Sequence, residues 1–230
     1  MYSSVYEVIF TVIKDPSLVV RAASFFILVI LFQVVVANVA LQHETKRRFQ
    51  HAFTGHALVQ ISYFLPLPIC LVLLGLGATV LYVGPMYYTS WFRKVFGPLL
   101  RPEELQGRRL PGAFYFLIGT ALTAAIVSDI HVARYAVECL ALADPMASYI
   151  GSTIRSPPIC QGSSLSGCLA CFVTAYGVGY LMLPSTLIGT NSFILGLGAL
   201  TCTLAEALPF GNDNLNIPLL TGIVVDRWMQ

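Results

Sequence analysis

From Ala22 to Gln42 the chain reads AASFFILVILFQVVVANVALQ, 21 residues without a charge. A helix of that length crosses about 30 Å of hydrocarbon. Further apolar runs of helical length follow near residues 49–65, 67–88, 113–129, 131–150, 165–183 and 187–208, with a shorter one at 215–228. Pro66 and Pro68 divide the apolar stretch 57–88 into two helices joined by a tight turn. The longest polar connection, TSWFRKVFGPLLRPEELQGRRLPG at 89–112, belongs outside the hydrocarbon. The pattern predicts an all-α, polytopic integral membrane bundle of about seven or eight transmembrane helices, a single domain over residues 22–230. Ahead of it, in 1–21, apolar residues at 5, 8, 9, 12 and 13 suit either a short helix lying in the interface or a frayed lead-in. The first span is not expected to be a cleaved signal. Glu7, Lys14, Asp15 and Arg21 precede it, and no small-residue cleavage site separates it from the basic cluster at 46–48.

Composition sharpens this picture. Hydrophobic residues make up 57% and charged residues 10% of the chain, whereas soluble domains carry about 25% charged residues. The net charge of +2 gives no reason to expect a nucleic-acid partner. Six cysteines are scattered through apolar runs, and the Cys168/Cys171 CxxC has no second pair or nearby histidine to complete a zinc site. They read as small packing residues, with disulfides left open.

The charges are unevenly placed. With eight spans, the connections after helices 1, 3, 5 and 7 share one side of the membrane. Nine of the 13 basic residues fall there: Lys46, Arg47, Arg48, Arg93, Lys94, Arg101, Arg108, Arg109 and Arg155. The positive-inside rule puts that side in the cytosol. His51, Asp144, the Gly/Ser turn 162–167, Glu206 and Asp213 gather on the same side. Such clustering of costly polar groups is what an enzyme with a water-soluble substrate requires.

Four stretches carry candidate chemistry. In ETKRRFQHAFTGH, Glu44, Arg47, Arg48, His51 and Gly55 follow helical spacing and share one face, either as a functional face or as a basic collar holding lipid headgroups. In LALADPMASYIGS, Asp144, Ala147, Ser148 and Gly151 share a second face. An ionised acid at that depth costs about 3 kcal/mol and is a functional candidate by default. Pro145 beside it disturbs the carbonyl of Ala141, which then needs a partner. The turn QGSSLSGC mimics a P-loop through Gly162 and Gly167, but Cys168 stands where a lysine is required. It is either a Ser-rich helix cap or a turn whose N–H groups hold phosphate. In EALPFGNDNLNIP, Glu206 and Asp213 form turn and cap chemistry or join Asp144 in holding Mg²⁺, which favours carboxylates together with phosphate oxygens. Glu138 is expected to pair with Arg134 four residues earlier.

Taken in order, these stretches resemble the CTP-dependent lipid-alcohol kinases, the family of phytol kinase, dolichol kinase and CTP-dependent diacylglycerol kinase. The resemblance rests on E-x-x-R-[KR]-x-x-H-x-x-x-G from Glu44 to Gly55 and on D-x-x-A-x-x-x-G through Asp144, Ala147 and Gly151. It continues in the late stretch Glu206, Asn212, Asp213, Asn214, Ile217 and Pro218, and in RRLPGAFYFLIG through Arg108, Gly112, Tyr115 and Gly119. It spans residues 43–224, with one departure. The family's K-S-x-x-G-S turn has Ser163, then Ser164, Gly167 and Cys168 here, so its lysine is missing, and Arg155 is the nearest substitute.

The resemblance implies phosphorylation of a membrane lipid alcohol, diacylglycerol above phytol or dolichol, with CTP as donor and Mg²⁺ as cofactor. It implies an integral membrane location, the endoplasmic reticulum in a eukaryote, with the site facing the cytosol. Asp144 becomes a metal ligand with Glu206 or Asp213 as the second. Arg47, Arg48 and Arg108 become phosphate contacts, joined on the nucleotide by Gly162, Ser163, Ser164, Gly167 and Asn214. His51 and Asp213 are alternatives for the base that takes the alcohol proton. Competing expectations are a phosphatidate cytidylyltransferase and a non-enzymatic transporter or lipid-binding protein. A CDP-alcohol phosphotransferase fits less well, because the aspartates expected after Asp144 are absent.

Overall fold

A computed structural model describes residues 14–87, 90, 100–105, 109–160, 162–185, 192–208 and 211–230. Most of the interfacial segment expected over 1–21, and Arg108, therefore lie outside the described residues. Among the described residues the chain is all-α apart from one small hairpin. Helix α1 (Ser17–Asn38) leads to α2 (His43–Ile61) and α3 (Leu67–Tyr87), then to one turn of helix, α4 (Pro102–Leu105). Next come α5 (Gly112–Ile126), α6 (Ile130–Glu138), a π-helical turn (Cys139–Ala143) and α7 (Asp144–Thr153). The antiparallel pair β1 (Pro158–Cys160) and β2 (Ser163–Ser164) precedes α8 (Leu165–Met182), α9 (Ser192–Ala207) and α10 (Asp213–Met229).

Among the described residues three helices are long and apolar enough to cross a membrane: Ser17–Val36, Leu67–Tyr87 and Leu165–Met182. Helices α5 and α9 are apolar but shorter. The count of seven or eight spans is thus not reached by length and composition. Charge in the N-terminal half of α2 and the break at the π turn explain two of the shortfalls. Helix α2 also starts six residues before the expected 49, so that Glu44 sits in its first turn, where a carboxylate complements the helix dipole.

The segment from α6 to α7 is the axis of the bundle. Val132, Tyr135, Ala136, Cys139, Leu140, Ala141 and Ala143 are completely buried, enclosed by α2, α5, α8, α9 and α10. The outside is apolar in turn, with Leu181 82% and Val173 68% exposed. Helix α1 lies at the periphery, joined to α2 by the stacked rings of Phe32 and Phe53 and by Gln33 Nε2 donating to Thr54 Oγ1 at 2.6 Å.

Polar side chains fix the corners. Asp129 caps α6 by accepting from the N–H groups of His131 and Val132. Buried Asp226 accepts from Ser128 and Asp129 N–H at 3.1 Å each, tying α10 to the α5–α6 corner. The expected Arg134–Glu138 pair does not form. Arg134 instead donates to the Ser62 carbonyl at 2.6 Å and the Ser62 hydroxyl at 2.9 Å, and lies 3.8 Å over the Tyr63 ring. The free carbonyl at the end of α2 and the Tyr63 ring satisfy the guanidinium there. Glu138 is buried and pairs with His56 Nδ1 at 2.7 Å. All six cysteines are free, and Cys171 and Cys202 only touch, at 3.8 Å.

Close backbone approaches draw the helices together. A Cβ at Gly119 on α5 would overlap the Asn214 carbonyl on α10, and one at Gly55 on α2 would overlap Ala141 in the π turn. Between α7 and α8, a Cβ on Gly151 would stand 2.9 Å from Ser164 Oγ. Gly119→Val is expected to lose about 1–3 kcal/mol through forced separation of α5 and α10. Gly177→Ala, with open space around the new methyl, is expected to be neutral or to gain up to about 1 kcal/mol. Thermal unfolding of the detergent-solubilised variants measures both.

Candidate functional site

The site begins with the proline in the central helix. Pro145 has no N–H, and around it the helix widens into a π turn over Cys139–Ala143. In i→i+5 pairing the partner of the Leu140 carbonyl is residue 145, a proline, so that carbonyl lacks a donor. His51 Nε2 supplies it from α2, 2.9 Å away. The orphan acceptor that the sequence placed on Ala141 is thus met one residue earlier. Since a carbonyl only accepts, Nε2 of His51 carries the hydrogen, and the same nitrogen lies 3.6 Å from Asp144 Oδ2. The edge of Phe116 closes over the imidazole, with ring centroids 4.9 Å apart. His51 therefore holds the break in the helix that presents Asp144.

Arg48, one turn before His51, clamps α2 to α7. Its Nε donates to Ser148 Oγ at 3.0 Å, and its Nη2 reaches the Ser148 carbonyl at 3.1 Å and Ser152 Oγ at 3.2 Å. The small residues of the Asp144 face are needed here, because the guanidinium and α8 both approach it closely. Arg47 is outermost and paired with Glu44 at 2.9 Å.

The Gly/Ser turn is a hairpin that ends in a helix cap. Gly162 has φ +96°, which glycine adopts without strain. Ser164 caps α8 by accepting from Gly167 N–H at 3.3 Å. Ser166 holds the approach to this cap through Ser156 Oγ and the Ile154 carbonyl. Across from it, Asn212 caps α10 through Asn214 N–H, and Asn214 Nδ2 donates to the Gly112 carbonyl at 2.9 Å. Glu104 completes the rim, its two oxygens accepting from the N–H groups of Gly112 and Arg101 at 2.8 Å each.

These elements surround one polar cavity of about 1200 Å³. Arg47, Arg48 and His51 enter it from α2, and Asp144, Ser148 and Gly151 from α7. Gly162, Ser163, Ser164 and Gly167 line it from the hairpin and α8, and Glu206, Asp213 and Asn214 from the other wall. Among the described residues every candidate given a site role from the sequence borders this space except Arg155, whose side chain is exposed outside the cavity. Sequence reasoning gave no site role to Arg101, Arg109 and Glu104, which line it as well. The one available signal was the i, i+3 spacing of Arg101 and Glu104 inside the long polar connection.

Positive and negative groups share this space. Burial, and then the charge of Asp144, push the Asp213 carboxyl up to about 6, while Arg101 pulls it the other way. Glu206 Oε2 is buried with no hydrogen-bond partner. Among the described residues no three His, Cys, Asp or Glu side chains form a closed metal cage. The donor set nonetheless fits Mg²⁺, which takes one or two carboxylates and completes its shell with water and phosphate oxygens. Asp144 and the unpartnered Glu206 are the groups that would hold it. The arginines and the two helix N-termini, of α8 and α10, supply the complementary donors for an anion.

Replacing His51 by leucine removes the donor to Leu140 and leaves a buried carbonyl unpaired. The expected cost is about 1–3 kcal/mol, measured as a lowered thermal midpoint. His51→Gln, which keeps a donor, is expected to recover part of it.

No family model, no curated protein and no solved structure matches this chain.

Proposed function

We propose that this chain is an integral membrane kinase that transfers the γ-phosphoryl group of CTP to the hydroxyl of a membrane lipid, diacylglycerol above phytol or dolichol. The observation that carries the reading is the single cavity joining arginines, carboxylates and a helix N-terminus in a chain with membrane-length apolar helices. The choice of CTP rests on the family resemblance of the motifs. Phosphoryl transfer asks little covalent chemistry of a protein and depends on positioning and charge neutralisation. An assembly of arginines and acids is suited to that task.

In this reading Arg47, Arg48, Arg101 and Arg109 hold donor phosphates, with the N–H groups around Ser164 and Gly167 cradling them. Asp144 and Glu206 hold Mg²⁺, which supplies neutralisation of phosphate charge when bound. The lipid hydroxyl oxygen forms the new bond to phosphorus as the β–γ bridging bond breaks, giving CDP and the lipid phosphate. The hydroxyl proton passes to a base. His51 has its Nε2–H committed to the Leu140 carbonyl, which leaves Asp213 as the favoured acceptor. Given the seven or eight spans expected from the apolar runs, the basic connections orient the cavity towards the cytosol, and in a eukaryotic cell the endoplasmic reticulum is the expected membrane.

The direct test is purified protein with γ-labelled CTP and a panel of lipid alcohols. Labelled lipid phosphate and CDP are expected. Release of pyrophosphate with CDP-lipid would point instead to a cytidylyltransferase, and absence of turnover to a transporter or lipid-binding protein. Asp144→Asn is expected to reduce turnover by at least a hundredfold while the protein still folds, because the amide keeps the size and loses the charge. Near-normal activity would return Asp144 to a purely structural role. Ser163→Lys restores a cation beside the proposed phosphate turn. It is expected to tighten CTP binding several-fold, on the order of 1 kcal/mol for a charge-assisted hydrogen bond, whereas Arg155→Ala leaves the affinity unchanged.

A further inference from the structure

Further along α2 and α5 from the polar cavity lies a second pocket, of about 100 Å³ and almost wholly apolar. Leu58 and Ile61 of α2, Leu65 of the turn that follows it, Leu74 of α3, Leu117 and Ala124 of α5 and Phe25 of α1 contribute to its wall. Both spaces follow the same pair of helices. Along α2 the polar cavity takes Arg47 to His51 and the pocket takes Leu58 to Ile61; along α5 the cavity takes Gly112 and Tyr115 and the pocket Leu117 to Ala124. At 1.5 Å per residue the step from His51 to Leu58 is about 10 Å. The pocket then runs about another 10 Å along α5 to Ala124.

One wall residue is out of keeping with the rest. Thr79, Thr123, Thr201 and Thr203 each donate their hydroxyl to the carbonyl four residues earlier, at 2.8 Å. Thr120 does not: it is 6% exposed, and its Oγ1 is buried without a partner. An unpaired hydroxyl at that depth costs free energy unless something brought to it accepts a hydrogen bond. It stands between Leu117 and Ala124, about midway along the α5 wall of the pocket. The other polar wall residues, Arg134 and Ser62, are already bonded to each other, so the open polar demand in the pocket is at Thr120 alone.

We propose that this pocket holds one fatty-acyl chain of the acceptor lipid, with an ester carbonyl of that lipid accepting from the Thr120 hydroxyl. The inference rests on the kinase reading and narrows it: an acyl glycerol supplies both a chain and an ester oxygen close to its free hydroxyl. An isoprenoid alcohol supplies the chain without the acceptor. The free hydroxyl then points back along the α2–α5 seam towards Tyr115 and His51. Ala124 bounds the far part of the pocket and limits how much chain enters.

The test uses the full chain in lipid nanodiscs and a diacylglycerol carrying a photoreactive diazirine at the end of one acyl chain. Peptides containing Leu58–Leu74 and Leu117–Val137 are expected to take most of the label, with excess unlabelled diacylglycerol competing and excess phytol competing poorly. Thr120→Val, equal in size but lacking the hydroxyl, is expected to lower this labelling at least threefold, and Thr120→Ser to restore it. Ala124→Leu, which fills the space, is expected to lower it for any long-chain probe. Thermal unfolding checks that the variants are folded. Label spread evenly over the lipid-facing helices and indifferent to these substitutions overturns the assignment. Labelling does not need turnover, so the two readings fail separately. The expected pattern without CTP turnover removes the kinase and keeps the acyl site; turnover with indifferent labelling removes the acyl site and keeps the kinase.

Discussion

Pro145 cannot donate a backbone hydrogen bond, and it stands in the most deeply buried helix of the bundle. A buried carbonyl left without a donor costs about 1–3 kcal/mol, so the break has to be answered from outside the helix. The π turn Cys139–Ala143 and the His51 side chain are that answer. Much of the neighbouring geometry depends on it. Helix α2 must run close enough for the imidazole to reach Leu140, which requires Gly55 against Ala141. Once α2 is there, Arg48 one turn earlier meets Ser148 and Ser152 on α7.

The second organising constraint is the crowding of small residues. Gly151 and Gly167 bring α7 and α8 together until Ser164 stands against α7, so the N-terminus of α8 opens beside Asp144. Gly119 does the same for α5 and α10, and the Asn214–Gly112 hydrogen bond then fixes the start of α10 at the rim of the cavity. The motif glycines therefore have a packing explanation of their own. Without them the helices that carry the polar groups would stand apart.

Electrostatics gives the cavity its character. Asp144, Glu206 and Asp213 come from three separate helices and face a common space, where their charges oppose one another; burial adds to the strain at Asp213. Such an arrangement is costly in isolation and sensible around a cation. Arginines on the other walls provide for an anion. A small apolar pocket on the same helices holds one buried threonine hydroxyl without a partner.

Local pattern was enough to read the helices. Apolar runs placed α3, α5, α8 and α9 within a few residues, because a stripe or run of apolar residues records burial directly. Charge, spacing and the resemblance of the motifs together named most of the candidate site: Arg48, His51, Asp144, Ser164, Asp213 and Asn214 all border one cavity. Which partners they take was not legible. His51 reads as a possible base but serves the Leu140 carbonyl, Arg134 turns to Ser62 instead of Glu138, and Arg155 lies outside the cavity that Arg101 and Arg109 line. Each of these depends on contacts between residues far apart in the chain, such as 100 positions for Arg48 and Ser148. Periodicity reports which side of a helix faces inward. Only the packed bundle decides what waits there.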